Sequence, residues 1–147
     1  MVATCASLAL TVDQATAQAA DQCPHPATIN GVSVLVSCGS AKAALHLGGA
    51  QLNLRNGQCV KTGSNFGVNF GAAVAGPTKK PPPDSLQLIA GPHGGTATLQ
   101  IARHGKQYIG DHLKLQPTAG RNGGTLSGIV TLAAGSAKVA VKGSFTC

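Results

Sequence analysis

The sequence contains no glutamate and no tryptophan, and only four of its 147 residues are acidic. Eleven lysines and arginines therefore leave a formal net charge of +7. Asp21, Asp84 and Asp111 lie far apart along the chain. Acid–base catalysis by paired carboxyl groups requires two such groups at one place. The sequence therefore argues against a hydrolase of that kind.

Motifs for a nucleophile or a metal are also missing. The nearest string to the Gly-x-Ser-x-Gly motif is Gly124-Thr-Leu-Ser-Gly128, whose spacing is wrong. A Ser–His–Asp site built from distant positions would draw on His104, His112 and Asp111. The cysteines are accompanied by no Cys-x-x-Cys or His-x-x-x-His pair, and the other histidines, His25, His46 and His93, are scattered. We predict a protein that is not an enzyme and that uses no metal or cofactor.

Aromatic residues make up only 3% of the sequence. Proteins that bind single-stranded nucleic acid place aromatic side chains among basic ones. Tyr108 alone lies near such residues, Arg103 and Lys106, so no specific nucleic-acid partner is predicted. With few aromatics the core must depend on Val, Leu, Ile and Ala, which bury less area each.

Long apolar runs are absent after the first residues, so no membrane span of about 18 residues is predicted there. Val2–Leu10 is apolar, and the small-x-small patterns Ala15-Thr-Ala17 and Ala17-Gln-Ala19 follow it. This order predicts a signal peptide over 1–19 and a single β-sandwich domain over 20–147. A disordered Ala-rich tail is the alternative. Val2-Ala-Thr-Cys5 also resembles a lipobox distantly, and the protein is expected at a membrane only if Cys5 carries a lipid.

Four cysteines remain beyond the predicted signal peptide: Cys23, Cys38, Cys59 and Cys147. An even number in an exported domain predicts two disulfides with three possible connectivities. We prefer Cys38–Cys147 with Cys23–Cys59. The first bridge would pin the last strand to an early strand, and the second would tie the Pro-rich start to a turn.

Short alternating segments separated by Gly and Asn predict an all-β, mostly antiparallel sandwich of about nine or ten strands. Thr28–Cys38 places Val32, Val34 and Val36 on one face. Asn56-Gly57 is predicted to be a hairpin turn, because both residue types tolerate positive φ. His46, between Leu45 and Leu47, is predicted to face solvent.

The excess of base suggests attraction to an anionic envelope surface or glycan. The candidate contact is Lys79-Lys80, in the Pro-rich loop from Gly76 to Asp84. Proline stiffness would lower the cost of ordering that loop on binding. The alternative function is a carrier of a small apolar ligand, since a sheet lined by Ala, Val and Gly leaves room inside.

Three stretches are similar to the mycobacterial 19 kDa lipoprotein antigen family, within Val32 to Cys147. They are Val34-Leu-Val-Ser-Cys38 with Ala44-Leu-His-Leu-Gly-Gly49, Ala102-Arg-His-Gly-Lys-Gln-Tyr108, and Gly143-Ser-Phe-Thr-Cys147. The resemblance implies a lipid-anchored surface antigen without catalysis, a Cys38–Cys147 disulfide, and a host receptor as a partner. Cys23, Cys59 and the weak lipobox depart from that pattern. We therefore expect a non-catalytic protein that is secreted or held in the cell envelope.

Overall fold

The structure is a computed structural model that describes residues 23–63, 65–76, 79–80, 83–91 and 95–147. The predicted signal peptide over 1–19, with Cys5, and His93 lie outside the described residues. Ten strands confirm the all-β, antiparallel prediction. Their bounds are β1 His25–Ile29, β2 Val32–Val36, β3 Ala41–Leu47, β4 Ala50–Thr62, β5 Asn65–Val74, β6 Ser85–Ala90, β7 Gly95–Arg103, β8 Lys106–Pro117, β9 Gly123–Leu132 and β10 Lys138–Thr146.

Alternation of apolar and polar residues explains why these segments are strands with one buried face. In β3 the buried residues Ala41, Ala43, Leu45 and Leu47 alternate with exposed ones. His46 is one of the exposed residues, as predicted. The same pattern in β6 buries Leu86, Leu88 and Ala90. A period of two sends every second side chain to the same face of a sheet.

Strands β3 to β10 close into an eight-stranded antiparallel barrel. Within it every strand pairs with its neighbours in the sequence, and β10 pairs with β3 from Val141 to Thr146 to complete the ring. The predicted sandwich is therefore wrong. Both architectures use the same alternation, and they differ in whether the first and last strands pair. That contact joins distant parts of the chain, so the local pattern does not encode it.

The interior of the barrel is filled by side chains. Twenty buried residues form one core cluster, and the rings of Phe66 and Phe145 stack in it with centroids 5.9 Å apart. The largest fully buried side chains of this cluster are Leu45, Leu88, Leu99, Ile101, Leu113, Val68, Val130 and Val141. Barrels of eight strands have an interior about wide enough for side chains to fill, and this one follows that rule.

A hairpin of β1 and β2 stands outside the barrel. β2 pairs with the last three residues of β5, from Val34 opposite Val74 to Val36 opposite Ala72. Val32, Val34 and Ala72 form a second small core there. We call β1 with the preceding Pro24, β2 and residues 72–74 the flap.

Two of the three Asn-Gly pairs in the sequence have the opposite roles to those predicted. Asn56-Gly57 lies inside the continuous strand β4, so the predicted hairpin turn is wrong. Asn30-Gly31 instead splits the predicted strand over Thr28–Cys38 into β1 and β2. Asn30 and Gly31 have φ of 51° and 73°, as a two-residue hairpin turn requires. Gly57 is needed for space, since a Cβ there would lie 2.3 Å from the Phe70 ring.

All four predicted cysteines form disulfides, but the preferred connectivity is wrong. The bridges are Cys23–Cys38 and Cys59–Cys147, with Cα atoms 5.6 and 5.8 Å apart. Cys23 precedes β1 and Cys38 follows β2, so the antiparallel hairpin brings the two together. The prediction missed this pairing because it took β2 and part of β1 for one strand.

The Cys59–Cys147 bridge lies where the barrel wall is incomplete. The ladder between β3 and β4 runs from Leu47 opposite Ala50 to Ala41 opposite Gly57. Beyond Gly57, β4 pairs with β5 alone among the described strands. The end of β10 lies across this gap, and the disulfide joins the two sides covalently.

Candidate functional site

Basic side chains gather on the outer face of β3, β4, β8 and β10, and β9, which has no basic residue, lies between β8 and β10. The register places Lys142 between His46 and Ser127 on the neighbouring strands. Ser127 in turn lies opposite Lys114. All four residues are exposed. Because neighbouring strands lie about 4.8 Å apart, the row from His46 to Lys114 is about 14 Å long.

Small side chains form a second row on the same outer face. Ser144 lies opposite Ala44 on one side and Thr125 on the other. Beyond this row, exposed Lys42 and Arg55 supply a second basic rim. Two adjoining grooves of about 350 and 300 Å³ run along the rims. We call this surface the cationic trough, with rims formed by His46, Lys114, Lys142, Lys42 and Arg55 and a floor formed by Ala44, Ser144 and Thr125.

The charge of the trough is not neutralised by the protein. Within the described residues, its five basic side chains make no hydrogen bond or ion pair. Asp84 and Asp111 are the acidic residues that the structure describes, and neither lines the trough. Asp84 lies before β6, where its Oδ1 accepts a hydrogen bond from the backbone N–H of His104 at 2.8 Å. The trough therefore presents positive charge to solvent.

The predicted contact residues Lys79 and Lys80 lie elsewhere, in the loop between β5 and β6. Both are exposed. The Nζ of Lys80 donates a hydrogen bond to the carbonyl oxygen of Asn30 at 3.0 Å. This bond ties the loop to the hairpin turn of the flap. Binding through this pair stays a prediction.

The residues considered for catalysis are not brought to one place. His104 lies in the turn between β7 and β8, whereas Asp111 and His112 lie in the middle of β8. At about 3.3 Å per residue, His112 is roughly 25 Å along the strand from that turn. In the part of the chain that the structure describes, no group of three His, Cys, Asp or Glu residues could hold a metal ion. Tyr108 packs against the core.

A row of carboxamides crosses the other half of the barrel. The register places Gln58 opposite Asn69, Asn69 opposite Gln87, and Gln87 opposite Gln100. The row therefore runs across β4, β5, β6 and β7. Gln58 donates a hydrogen bond from Nε2 to the carbonyl oxygen of Cys23 at 3.1 Å. The amides of Asn69, Gln87 and Gln100 make no hydrogen bond within the described chain.

The flap stands beside this row and turns it into a groove of about 450 Å³. Leu35, Val74 and Pro24 line the groove from the flap, and Ala102 and Gln107 continue the barrel side. Ala102 is only 7% exposed although it points outward in the alternation of β7. We call this site the carboxamide groove, formed by the row Gln58, Asn69, Gln87 and Gln100 and the flap residues Pro24, Leu35, Ala73 and Val74.

Sequence reasoning missed both surfaces. Alternation alone would have directed Lys142 or Gln87 outward in their strands. It does not state which residue of the next strand lies opposite, because that depends on register and on bulges such as the one between Ile109 and Lys114. The alternation within each strand therefore predicts which side chains face outward, but it does not predict which outward side chains of neighbouring strands lie together.

Comparison of the chain with protein-family models, with curated proteins and with solved structures gives no match. The resemblance to the mycobacterial antigen family stays a prediction, and the disulfide that it implied, Cys38–Cys147, is not the one formed. The two disulfides favour an oxidising compartment. The described residues include no helix of the length and apolar character that a membrane span needs.

Proposed function

We propose that this chain is a non-catalytic, exported binding protein that holds an acidic glycan in the cationic trough. The observation that carries the proposal is the register, which aligns the exposed basic residues of four strands around a floor of small side chains. By the strand spacing, Lys114 and Lys142 lie about 10 Å apart across the ladder, a distance close to the Debye length of about 8 Å at physiological salt. They therefore act together on one extended polyanion.

The chemistry of the floor favours a glycan among polyanions. Ser144 and Thr125 offer hydroxyl groups, and Gln116 at the edge offers a carboxamide, which accepts a 3.4 Å hydrogen bond from Thr125 Oγ1. Such groups suit the hydroxyl and ring oxygens of sugars. Among the described residues, Phe145 is the one aromatic that lines either groove, and at 3% exposure it points into the core, where no base could stack on it. The large apolar residues of the lining, Leu54 and Leu126, are half-buried and buried, so neither offers an exposed side chain to a bilayer.

Secretion or retention in the cell envelope is part of the proposal. Its support is the pair of disulfides, since such bridges persist outside the reducing cytosol. Transport of an apolar ligand, the alternative function, would need space among the inward side chains. Residues such as Leu99 and Val130 occupy that space and are 0% exposed, so the structure gives no observation in favour of the alternative.

The experiment measures binding of polygalacturonate and heparin by calorimetry in 0.15 M salt. Lys114→Gln/Lys142→Gln removes two rim charges, and Lys106→Gln/Lys138→Gln removes two exposed charges outside the trough. We expect the first variant to bind at least about tenfold more weakly, because rim charges contact the polymer directly. The second variant should stay within about threefold, since it alters only the long-range field.

Equal losses in both variants would show that net charge alone attracts the polymer, and the trough would not be the site. Absence of binding to either polymer would reject the proposal. Tighter binding to anionic vesicles or to single-stranded DNA would assign the trough to those partners instead. Lys79→Ala/Lys80→Ala in the same assay tests the loop that the sequence pointed to.

A further inference from the structure

We infer that the carboxamide groove is a second site, for a neutral saccharide chain. None of the fourteen described residues that line the groove is charged, although the chain has a net charge of +7. A charged ligand would gain no ion pair there and would lose hydration. The ligand is therefore neutral, which distinguishes this site from the cationic trough.

Carboxamides recognise groups that both donate and accept hydrogen bonds. Each Asn or Gln side chain offers an acceptor oxygen and an NH₂ with two donors. A sugar hydroxyl is likewise donor and acceptor, and two adjacent hydroxyls can bind both ends of one carboxamide. Asn69, Gln87 and Gln100 keep these groups open toward the groove, since within the described chain they have no partner.

The spacing of the row distinguishes a saccharide from an extended peptide. The carboxamides recur once per strand, about every 4.8 Å, which is close to the advance of one pyranose unit in a β-linked chain. Since successive β-1,4-linked rings alternate in orientation, equivalent sugar edges would meet every second carboxamide. Peptide groups that face the same way in an extended peptide recur every two residues, about 6.7 Å. A peptide crossing the strands would soon lose its match with the row, whereas a short saccharide chain would keep it.

The flap supplies the apolar part of the site. Leu35 is 40% exposed and faces the groove with Val74. The C–H faces of sugar rings pack against such aliphatic side chains. Cys23–Cys38 closes the base of the hairpin, and the 3.1 Å bond from Gln58 to Cys23 holds that base against the barrel. Because the flap is held in place before a ligand binds, less conformational entropy is lost on binding.

The test titrates the folded protein with neutral hexasaccharides of β-linked glucose, β-linked N-acetylglucosamine and α-linked mannose. Binding is followed by calorimetry and by the side-chain NH₂ resonances of Asn69, Gln87 and Gln100. We expect at least one hexasaccharide to bind and to shift these resonances. Gln87→Ala and Gln100→Ala should each weaken it about tenfold, the loss of about one hydrogen bond.

Gln51→Ala is the matched control, because it truncates an exposed glutamine of β4 outside the groove and should change the affinity less than about twofold. Thermal unfolding checks that each variant folds. Cys23→Ser/Cys38→Ser should weaken binding by loosening the wall, while Lys114→Gln/Lys142→Gln should leave it unchanged. The inference is overturned if no hexasaccharide binds at millimolar concentration, or if Gln51→Ala costs as much as Gln87→Ala.

Discussion

Removal of the Cys59–Cys147 disulfide by Cys59→Ser/Cys147→Ser is expected to destabilise the barrel more than any change to the flap. The bridge joins β4 to the end of β10 where β3 is too short to lie between them. The Phe66–Phe145 stack lies in the same part of the barrel. Without the disulfide, only side-chain packing such as this stack would hold β4 and the end of β10 together.

The magnitude follows from the loop that the bridge closes. In the chain-entropy model a separation of 88 residues corresponds to about 4.6 kcal/mol, because the unfolded chain loses that much freedom. Cys23–Cys38 has a separation of 15 residues, and the same model gives about 3.0 kcal/mol. The difference of about 1.6 kcal/mol is large enough to measure.

The assay is urea unfolding of the two double variants, followed by far-ultraviolet circular dichroism. Cys59→Ser/Cys147→Ser should lose the larger part of the free energy of unfolding. Hydrogen exchange should accelerate in β10 and in the second half of β4. Cys23→Ser/Cys38→Ser should lose less, with faster exchange confined to β1 and β2.

Two results would refute this reasoning. If the two variants lose the same free energy, loop length does not set the effect. If Cys59→Ser/Cys147→Ser leaves exchange at β10 unchanged, the bridge does not close the gap between β4 and β10, and the seam is held by side-chain packing alone.

Other substitutions test the packing of the strands. Gly57→Ala should cost about 1–3 kcal/mol in urea unfolding, since its Cβ would lie 2.3 Å from the Phe70 ring. Gly49→Ala, whose Cβ would have no described atom within 4 Å, should be nearly neutral. Equal costs for the two variants would contradict the packing. Leu99→Ala, at 0% exposure, should cost about 2–5 kcal/mol by the same assay, and a loss under about 1 kcal/mol would mean that the interior is loosely filled. Gly31→Ala, at φ +73°, should cost about 1 kcal/mol and speed hydrogen exchange in the flap alone; faster exchange throughout the barrel would contradict its separate core.

Local patterns predicted most strands of this protein and their buried faces. Val32 and Val34 were predicted to share a face and are both buried in β2, and His46 was predicted to face solvent and is exposed in β3. These features depend on residues that are close in the sequence. The Asn-Gly error shows the limit, because Asn56 and Asn30 both have positive φ and only tertiary contacts decide which of them turns the chain.

The closure of the barrel and the pairing of the cysteines depend on contacts between distant residues. Cys147 meets Cys59 only because β10 has already paired with β3, which leaves the chain end across the gap from β4. The same dependence hides the sites. Gln58 and Gln100 are 42 positions apart in the sequence, and only the ladders through Asn69 and Gln87 place them in one row.

A closed barrel allows its two halves to carry different chemistry. The interior fixes every inward side chain, whereas outward positions are constrained only by solubility and by their cross-strand neighbours. Here the outward positions around the trough carry Lys42, Arg55, Lys114 and Lys142, whereas the described residues that line the carboxamide groove include no charged residue. Repulsion between lysines does not require this division, because dispersing the same charges would reduce it further. The grouping of like charges around the trough raises the electrostatic energy of the fold. The proposed binding of a polyanion accounts for that grouping, and the two sets of matched variants test the two sites separately.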